Sequence, residues 1–423
     1  MSLVDKIQDK SAVIGVVGLG YVGLPLAISF AEAGFLVIGI DTNQDKLNIL
    51  YKGASYIDDI PDSQVKSAVR SGRLQFWDSN VDIAIVCVPT PITKDKKPDL
   101  SYIISSVEQI KNRLADRNSM VVLESSTYPG TTRDVVTPIL GESAKYIAYS
   151  PERVDPGSKK FSIRNTPKLV GGIDKESTEL ATLLYEQIVD KVVPVASVEV
   201  AETTKLFENV FRNVNIALVN ELALICEKIG VSVWDVINAA ATKPFGFMPF
   251  YPGVGVGGSC IPKDPHYLVD KAKEYGCCPV LIETALTINE RQPNQIKHWI
   301  IDTLIGRCID AKKAKVVILG VAFKNDVSDT RDSPSIELLN RLHDYGMDVL
   351  YNDPYVPRLS ERMVSKELTD GLLESANCVV IATDHSCYDW KRIVGKAKLV
   401  FDTHNATKGM TSEKIYRPGE RRI

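Results

Sequence analysis

The chain has 423 residues, 44% of them hydrophobic and 24% charged, with a formal net charge of −3. That length exceeds a single core at roughly 150 residues per domain and predicts two or three units, while the near-neutral balance lacks the cationic excess that a phosphate backbone requires, so no nucleic-acid partner is expected. The opening MSLVDKIQDK carries no leader pattern, and no charge-free apolar run reaches the ~20 residues that span a bilayer, which predicts a cytoplasmic protein with no membrane partner.

From Ala12 to Val17 an apolar β-rich run meets Gly18; Tyr21 to Ala33 then has helical spacing, stops at Gly34, and gives way to a second run, Phe35 to Ile40. This is a βαβ unit. Buried-strand runs at Val81 to Val88 and Met120 to Leu123 extend it into a parallel sheet covered by helices. The segment from Val198 to Gly230 is free of proline and internal glycine and apolar on more than one face, predicting a long helix that joins two α/β domains and serves as a homodimer contact. Short helical patterns follow at Trp234 to Ala241 and Leu281 to Asn289. From Lys315 the βαβ rhythm returns, with strands at Val316 to Leu319, Asp348 to Tyr351, Cys378 to Ala382 and Leu399 to Phe401 and a helix from Pro334 to Tyr345. The polar, basic tail beyond Gly409 reads as loosely ordered. The expected fold is α/β: an N-terminal Rossmann domain at 1–197, a central helical domain at 198–308, and a C-terminal Rossmann-like domain at 309–423.

Gly18-Leu-Gly20-Tyr21-Val22-Gly23 closes the first strand and opens the first helix, where glycines allow a tight turn, pyrophosphate contact and close helix packing. Asp41 ends the second strand, placed to bond ribose hydroxyls and repel a 2′-phosphate; no arginine follows it. Strand, helix and acidic residue in register predict a dinucleotide site that takes NAD over NADP. After Gly320, by contrast, VAFKNDVSDTRDSP lacks the glycines for a pyrophosphate, and the second fold is expected to hold no dinucleotide.

The densest chemical signal is Gly253-Val-Gly-Val-Gly257-Gly-Ser-Cys260-Ile-Pro-Lys263-Asp264, a glycine-rich loop that sets a thiol and a carboxylate four residues apart. A single cysteine is usually a small apolar residue; the glycine run and the charged pair argue for a reactive one. The other seven cysteines form no CxxC pair and lack histidines at zinc spacing, so neither a disulfide framework nor a metal is predicted. His343, His385 and His404 have no partner that the sequence identifies.

Taken together, GLGYVG with Asp41, CVPTP at 87–91, SSTYPG at 125–130, SPERVDPG at 150–157, AETTKLFEN at 201–209, GVGGSCIPKD at 255–264 and FKNDVSDTRDSP at 323–334 resemble the UDP-sugar 6-dehydrogenase family, over nearly the whole chain. The resemblance implies oxidation of a UDP-sugar C6 alcohol to a carboxylate with two NAD, through an aldehyde, a thiohemiacetal and a thioester on Cys260. A thiol is needed because an aldehyde has no second hydride to give until a nucleophile adds to it. By the same resemblance Glu152 with Thr127 activates the hydrolytic water, Lys205 and Asn209 flank the developing oxyanion, and Asp264 positions water or Lys205. Pro89, Thr90, Thr127 and Arg331 match cofactor-binding positions. Arg153, Val154, Phe250, Tyr251, Gly257 and Lys324 match substrate-binding ones.

Three departures from the UDP-glucose pattern bear on the sugar: Pro156 in place of a second glutamate, Ile-Pro after Cys260, and no arginine in the aromatic segment Lys243 to Gly253. They resemble the N-acetylhexosamine branch, and the expected order is UDP-N-acetylglucosamine, then UDP-N-acetylmannosamine, then UDP-glucose. A two-electron β-hydroxyacid dehydrogenase is the nearest different enzyme, separated by one NADH per product instead of two. A nucleotide-sugar sensor is the rival outside catalysis, and it would need none of Cys260, Lys205, Asn209 and Glu152.

Overall fold

The computed structural model describes residues 1–57, 59–76, 79–93, 95–154 and 160–420. The chain divides into two compact units, Met1–Glu208 with His266–Cys277, and Asn209–Pro265 with Cys278–Ile423. Pro156 lies outside the described residues.

In the first unit the strands are β1 (Val13–Val17), β2 (Leu36–Ile40), β3 (Leu74–Gln75), β4 (Ile83–Val86), β5 (Met120–Leu123), β6 (Tyr146–Tyr149), β7 (Lys168–Gly172) and β8 (Val192–Pro194). They form one sheet in the order β3-β2-β1-β4-β5-β6-β7-β8. Every pairing is parallel except β6 with β7. Parallel strands must be covered on both faces, and the period of two divides these side chains accordingly. Ile14, Val16, Val37, Ile83 and Ile85 pack with Leu24, Ala27 and Phe30 of the helix Gly23–Glu32 on one side. Val17, Ile38, Ala84 and Val86 pack with Ile103, Val107 and Ala201 on the other. β2 and β4 flank β1, so the sheet reverses its order of winding at the end of β1, the place where open α/β sheets bind ligands.

The second unit contains β9 (Lys315–Leu319), β10 (Asp348–Asn352), β11 (Cys378–Ile381), β12 (Val400–Asp402) and β13 (Ile415–Tyr416), all parallel, in the order β10-β9-β11-β12-β13. Val316, Ile318 and Val380 face Trp299, Ile300, Leu338 and Leu342, while Val317, Leu319, Val379 and Ile381 face Leu373 and Ile393. The predicted long helix spans Val198–Ile229.

Two expectations need correction. The pattern predicted from Leu281 to Asn289 is a 27-residue helix, Val280–Gly306, that continues through Pro293. An interior proline costs about 3 kcal/mol, but Ile296, Trp299, Ile300 and Leu304 beyond it are buried in the unit's core and favour continuation. The tail is also ordered as far as Glu420. β13 adds to the sheet, Tyr416 lies against Phe401 with centroids 4.9 Å apart, Arg417 donates to the Thr407 carbonyl at 2.7 Å, and Val233 N–H donates to the Gly419 carbonyl at 2.9 Å. Composition marked this stretch as polar but could not reveal its internal partners.

Candidate functional site

The dinucleotide motif is built at the end of β1. Gly18 has φ +89°, and a Cβ there would stand 2.8 Å from the Cys87 carbonyl oxygen; one on Gly23 would stand 1.9 Å from the Gly18 carbonyl oxygen. Packing accounts for both. Gly20 differs, since an added Cβ meets nothing within 4 Å. The helix that begins at Gly23 has no side-chain cap, so its first-turn N–H groups lack a side-chain acceptor. Open space before Gly20 and an uncapped helix start suit a pyrophosphate. Asp41 accepts from Leu19 N–H at 2.9 Å and Asn43 N–H at 2.8 Å and pairs with Lys46 at 3.6 Å, which fixes the carboxylate beside the glycine turn and leaves Oδ1 with a lone pair for a ribose hydroxyl. Tyr21 is 42% exposed, while Val22 is half-buried. Tyr267 donates to the Thr90 carbonyl and so holds the CVPTP turn, with Pro89 exposed next to it.

Also in the first unit, Glu152 follows β6. Its Oε1 accepts from Arg153 N–H at 2.7 Å and Val154 N–H at 2.6 Å, and its Oε2 accepts from Lys168 at 3.2 Å. Burial would push this carboxyl up; the Lys168 charge and these bonds overcome it and hold it below the usual value. Lys205 donates to the Glu152 carbonyl at 2.7 Å, bringing two of the predicted residues together. Arg153 pairs with Glu208 at 2.7 Å. Thr127 is fully buried, and its hydroxyl donates to Thr131 at 2.6 Å.

Sequence reasoning missed Glu202, one helical turn before Lys205. It accepts from Gly130 N–H at 2.6 Å, Thr132 N–H at 2.9 Å and the Thr132 hydroxyl at 2.7 Å, tying the STYPG turn to the long helix. Burial pushes its carboxyl up to about 7 against those bonds. A glutamate inside AETTK at helical register was the available signal. Lys168, Glu124 and Tyr185 were missed too, because nothing local in sequence links them to Glu152.

The second unit holds the cysteine loop. Cys260 is partly exposed, unlike the buried thiols of Cys87, Cys226 and Cys378. Its sulfur lies 3.4 Å from the Ser259 hydroxyl, and its carbonyl accepts from Lys263 and Asp264 N–H at 2.9 and 2.8 Å as the helix Asp264–Glu274 begins. Buried Asp264 accepts from the Asn209 amide at 2.6 Å. Asn213 and Asn220, four and eleven residues after Asn209 on the same helical face, were not anticipated. Asn213 donates to the Ile261 carbonyl at 3.3 Å; Asn220 accepts from Gly253 N–H at 3.2 Å. Gln292 donates to the Gly253 carbonyl at 3.0 Å, and Asn289 to the Asn213 carbonyl at 2.9 Å. A row of buried amides thus pins the loop along its length.

The glycines of the loop let it lie against the FKNDVSDTRDSP segment. A Cβ on Gly257 would stand 2.7 Å from Phe323 Cβ, Gly258 N–H donates to the Arg331 carbonyl at 3.0 Å, and Lys263 pairs with Asp332 at 2.7 Å. Two motifs about sixty residues apart in sequence meet here. The Arg331 guanidinium, about half exposed, grips Asp329 at 2.5 Å, and Lys324 is half-buried. Phe250 packs edge-on with Phe211, and Tyr251 stacks on Trp234 and donates to Asn238 at 3.0 Å. His385, for which the sequence identified no partner, has clear ones. It is fully buried, accepts from Asp326 N–H at 2.9 Å, and donates through Nε2 to Asp353 at 3.1 Å. His404 Nδ1 lies 2.8 Å from the Thr403 hydroxyl. No described helix is long and apolar enough to cross a membrane.

Comparison with known proteins adds independent findings. Residues 12–189, 199–291 and 317–409 match, respectively, the NAD binding domain, the central domain and the UDP binding domain of the UDP-glucose/GDP-mannose dehydrogenase family. A UDP-N-acetyl-D-mannosamine dehydrogenase of Methanocaldococcus jannaschii is 37% identical over 93% of this chain and 92% of its own. A UDP-N-acetyl-D-glucosamine 6-dehydrogenase of Pseudomonas aeruginosa is 32% identical over 97% and 95%. The solved UDP-N-acetylmannosamine dehydrogenase of Pyrococcus horikoshii superposes with a TM-score of 0.88 at 32% identity, covering 96% of this chain and 99% of that one.

Proposed function

The chain belongs to the UDP-glucose/GDP-mannose dehydrogenase family, NAD-dependent oxidoreductases acting on UDP-sugars, and on that premise we propose that it oxidises the C6 alcohol of a UDP-N-acetylhexosamine to the carboxylate through Cys260. The observation that carries this reading is a partly exposed thiol in a loop that buried amides hold rigid, since a nucleophile needs both access and fixed geometry. In functional terms 1–197 holds NAD, 198–308 carries the thiol and the helix, and 309–423 takes the UDP group.

Gly18, Gly20, Gly23 and Asp41 would hold NAD, which when bound would supply the hydride acceptor for both oxidations. Lys205 keeps two N–H groups beyond the one on Glu152, and Asn209 keeps one beyond Asp264; we assign these to the C6 oxygen, which is negatively charged once its hydroxyl proton has left to solvent and again when sulfur adds to the aldehyde. Asp264 acts by orienting Asn209. The Cys260 thiolate then adds to the aldehyde carbon; a C–S bond forms and the oxygen takes up a proton. Oxidation of this thiohemiacetal, with loss of the hydroxyl proton, gives the thioester. A water oxygen attacks the thioester carbon, the C–S bond breaks, sulfur leaves as thiolate, and the water proton passes to Glu152, with Thr127 orienting the water. Arg153, Val154, Phe250, Tyr251, Gly257 and Lys324 are assigned to substrate. Arg331 is assigned to the cofactor.

For the sugar, the manno epimer leads, because several relatives at 34–37% identity carry that name; the gluco epimer, favoured by the sequence, is the second reading, supported by relatives named for it. We also read the exposed residues Phe207, Phe211, Leu218, Ile225 and Ile229, spaced by four and seven along one face of the long helix, as the contact of a homodimer. A panel of UDP-sugars assayed for NADH and product decides the main points. Two NADH per uronic acid are expected, with Cys260→Ser making no acid yet binding NAD normally. One NADH with a released aldehyde would overturn the mechanism.

A further inference from the structure

Behind Glu152 lies a buried charge cluster for which the reaction scheme has no use. Lys168, only 4% exposed, donates to Glu124 at 3.0 Å and to Glu152 at 3.2 Å; Glu124 is fully buried and also accepts from the Tyr185 hydroxyl, over whose ring the Lys168 ammonium sits at 5.2 Å. Burying a lysine is costly unless it is fully paired, so a cation at this depth requires both carboxylates. The topology explains the meeting. β6 and β7 are the antiparallel pair of the sheet, with Ala148 opposite Gly172 and Tyr149 opposite Gly171. Continued in the same register, Glu152 falls opposite Lys168. Glu124 follows β5, the parallel neighbour of β6.

The lone pairs of Glu152 can be counted. A carboxylate offers about four acceptor positions. Two backbone N–H groups take Oε1, and Lys168 takes one side of Oε2, leaving a single lone pair on Oε2.

We propose that Lys168 is a positioning residue for thioester hydrolysis: anchored by Glu124 and Tyr185, it keeps the Glu152 carboxylate ionised and aims its one remaining lone pair at the attacking water. This rests on Glu152 being the general base. Burial opposes ionisation of Glu152, and the Lys168 charge reverses that, so removing the lysine should let the carboxyl rise.

The test uses the full-length enzyme with NAD and its UDP-sugar. Acyl-enzyme is read by intact-protein mass spectrometry, and the hydrolysis rate is followed against pH. Lys168→Met alone leaves two carboxylates buried without a cation and is expected to fold poorly. The double variant Lys168→Met/Glu124→Gln removes one positive and one negative charge together, leaving the formal charge of the cluster unchanged. In that variant the pH below which hydrolysis fails should rise by at least about one unit relative to Glu124→Gln, and acyl-enzyme should accumulate on the acidic side. Lys168→Arg, which keeps the charge, should restore most of the profile. Infrared difference spectra in the Glu124→Gln background read the protonated carboxyl of Glu152 without turnover. An unmoved pH profile and an unmoved carboxyl band overturn the proposal. If the band moves with Lys168 while Glu152→Gln hydrolyses thioester normally, the assignment of Glu152 as base fails and the electrostatic role of Lys168 stands.

Discussion

The turn after β1 and the turn after β9 start alike. Each begins with a glycine at positive φ, +89° at Gly18 and +80° at Gly320, and each glycine N–H donates to the last residues of the neighbouring strand, Ile40 and Asn352, at 2.7 and 2.9 Å. Each is closed by an aspartate that accepts from the N–H after the glycine: Asp41 from Leu19, Asp353 from Val321 and Ala322. From there they diverge. Asp41 takes two backbone N–H groups, with Lys46 3.6 Å away, and its turn runs through an open Gly20 into an uncapped helix. Asp353 is 1% exposed and also accepts from Tyr355 N–H, Val356 N–H and His385, and its turn runs on to Ser333 before a helix starts with Pro334. In the second turn the aspartate's acceptors are all taken up inside the protein, whereas in the first they are not.

Substitutions at equivalent places should separate the two. Gly320→Val puts a Cβ 2.4 Å from Thr383 Cβ at a left-handed φ, and should cost about 4 kcal/mol in denaturant unfolding. Next comes Asp353→Asn, at about 3 kcal/mol, since five donors meet this carboxylate, with NAD affinity unchanged by calorimetry. Its pH signature has a definite sign. Burial alone would raise Asp353, but the His385 bond and backbone N–H groups hold it below the ordinary 3.8. A depressed folded value gives stability that is present above pH 3.8 and is lost as pH falls below it. Asp353→Asn should flatten that acid limb, and an unchanged limb would show that Asp353 does not govern it. Gly20→Val, with open space around it, should weaken NAD binding about a hundredfold, some 2.7 kcal/mol, while melting as the wild type does. Asp41→Asn should have the smallest effect, lowering the NAD over NADP preference by about tenfold. If Gly20→Val were instead to unfold the protein, the distinction between an open turn and a packed one would collapse.

Much of this was legible in the sequence. GLGYVG, Asp41 and the apolar runs gave β1, β2, β4 and β5 of the first sheet, because local pattern and tertiary burial agree there. The helix Pro334–Tyr345 was readable to the residue, with proline at its first position and glycine after its last. Where the reading stopped short, distant partners decided the outcome: the helix through Pro293 depends on burial of Trp299 and Leu304, and the tail on Phe401 and Thr407. The site divides similarly. Cys260, Lys205 and Glu152 stand in recognisable motifs, whereas Lys168, His385, Asn213 and Asn220 gain meaning only through residues remote in the chain. The antiparallel β6–β7 pairing that brings Lys168 to Glu152 has no signature in either strand.

The three asparagines of the long helix act as a ruler for the cysteine loop. Asn209, Asn213 and Asn220 grip Asp264, Ile261 and Gly253 from one face, and a helix turns about 100° per residue. Adding or deleting one residue between them would swing at least one amide off the loop. The length of that stretch is therefore locked to the chemistry.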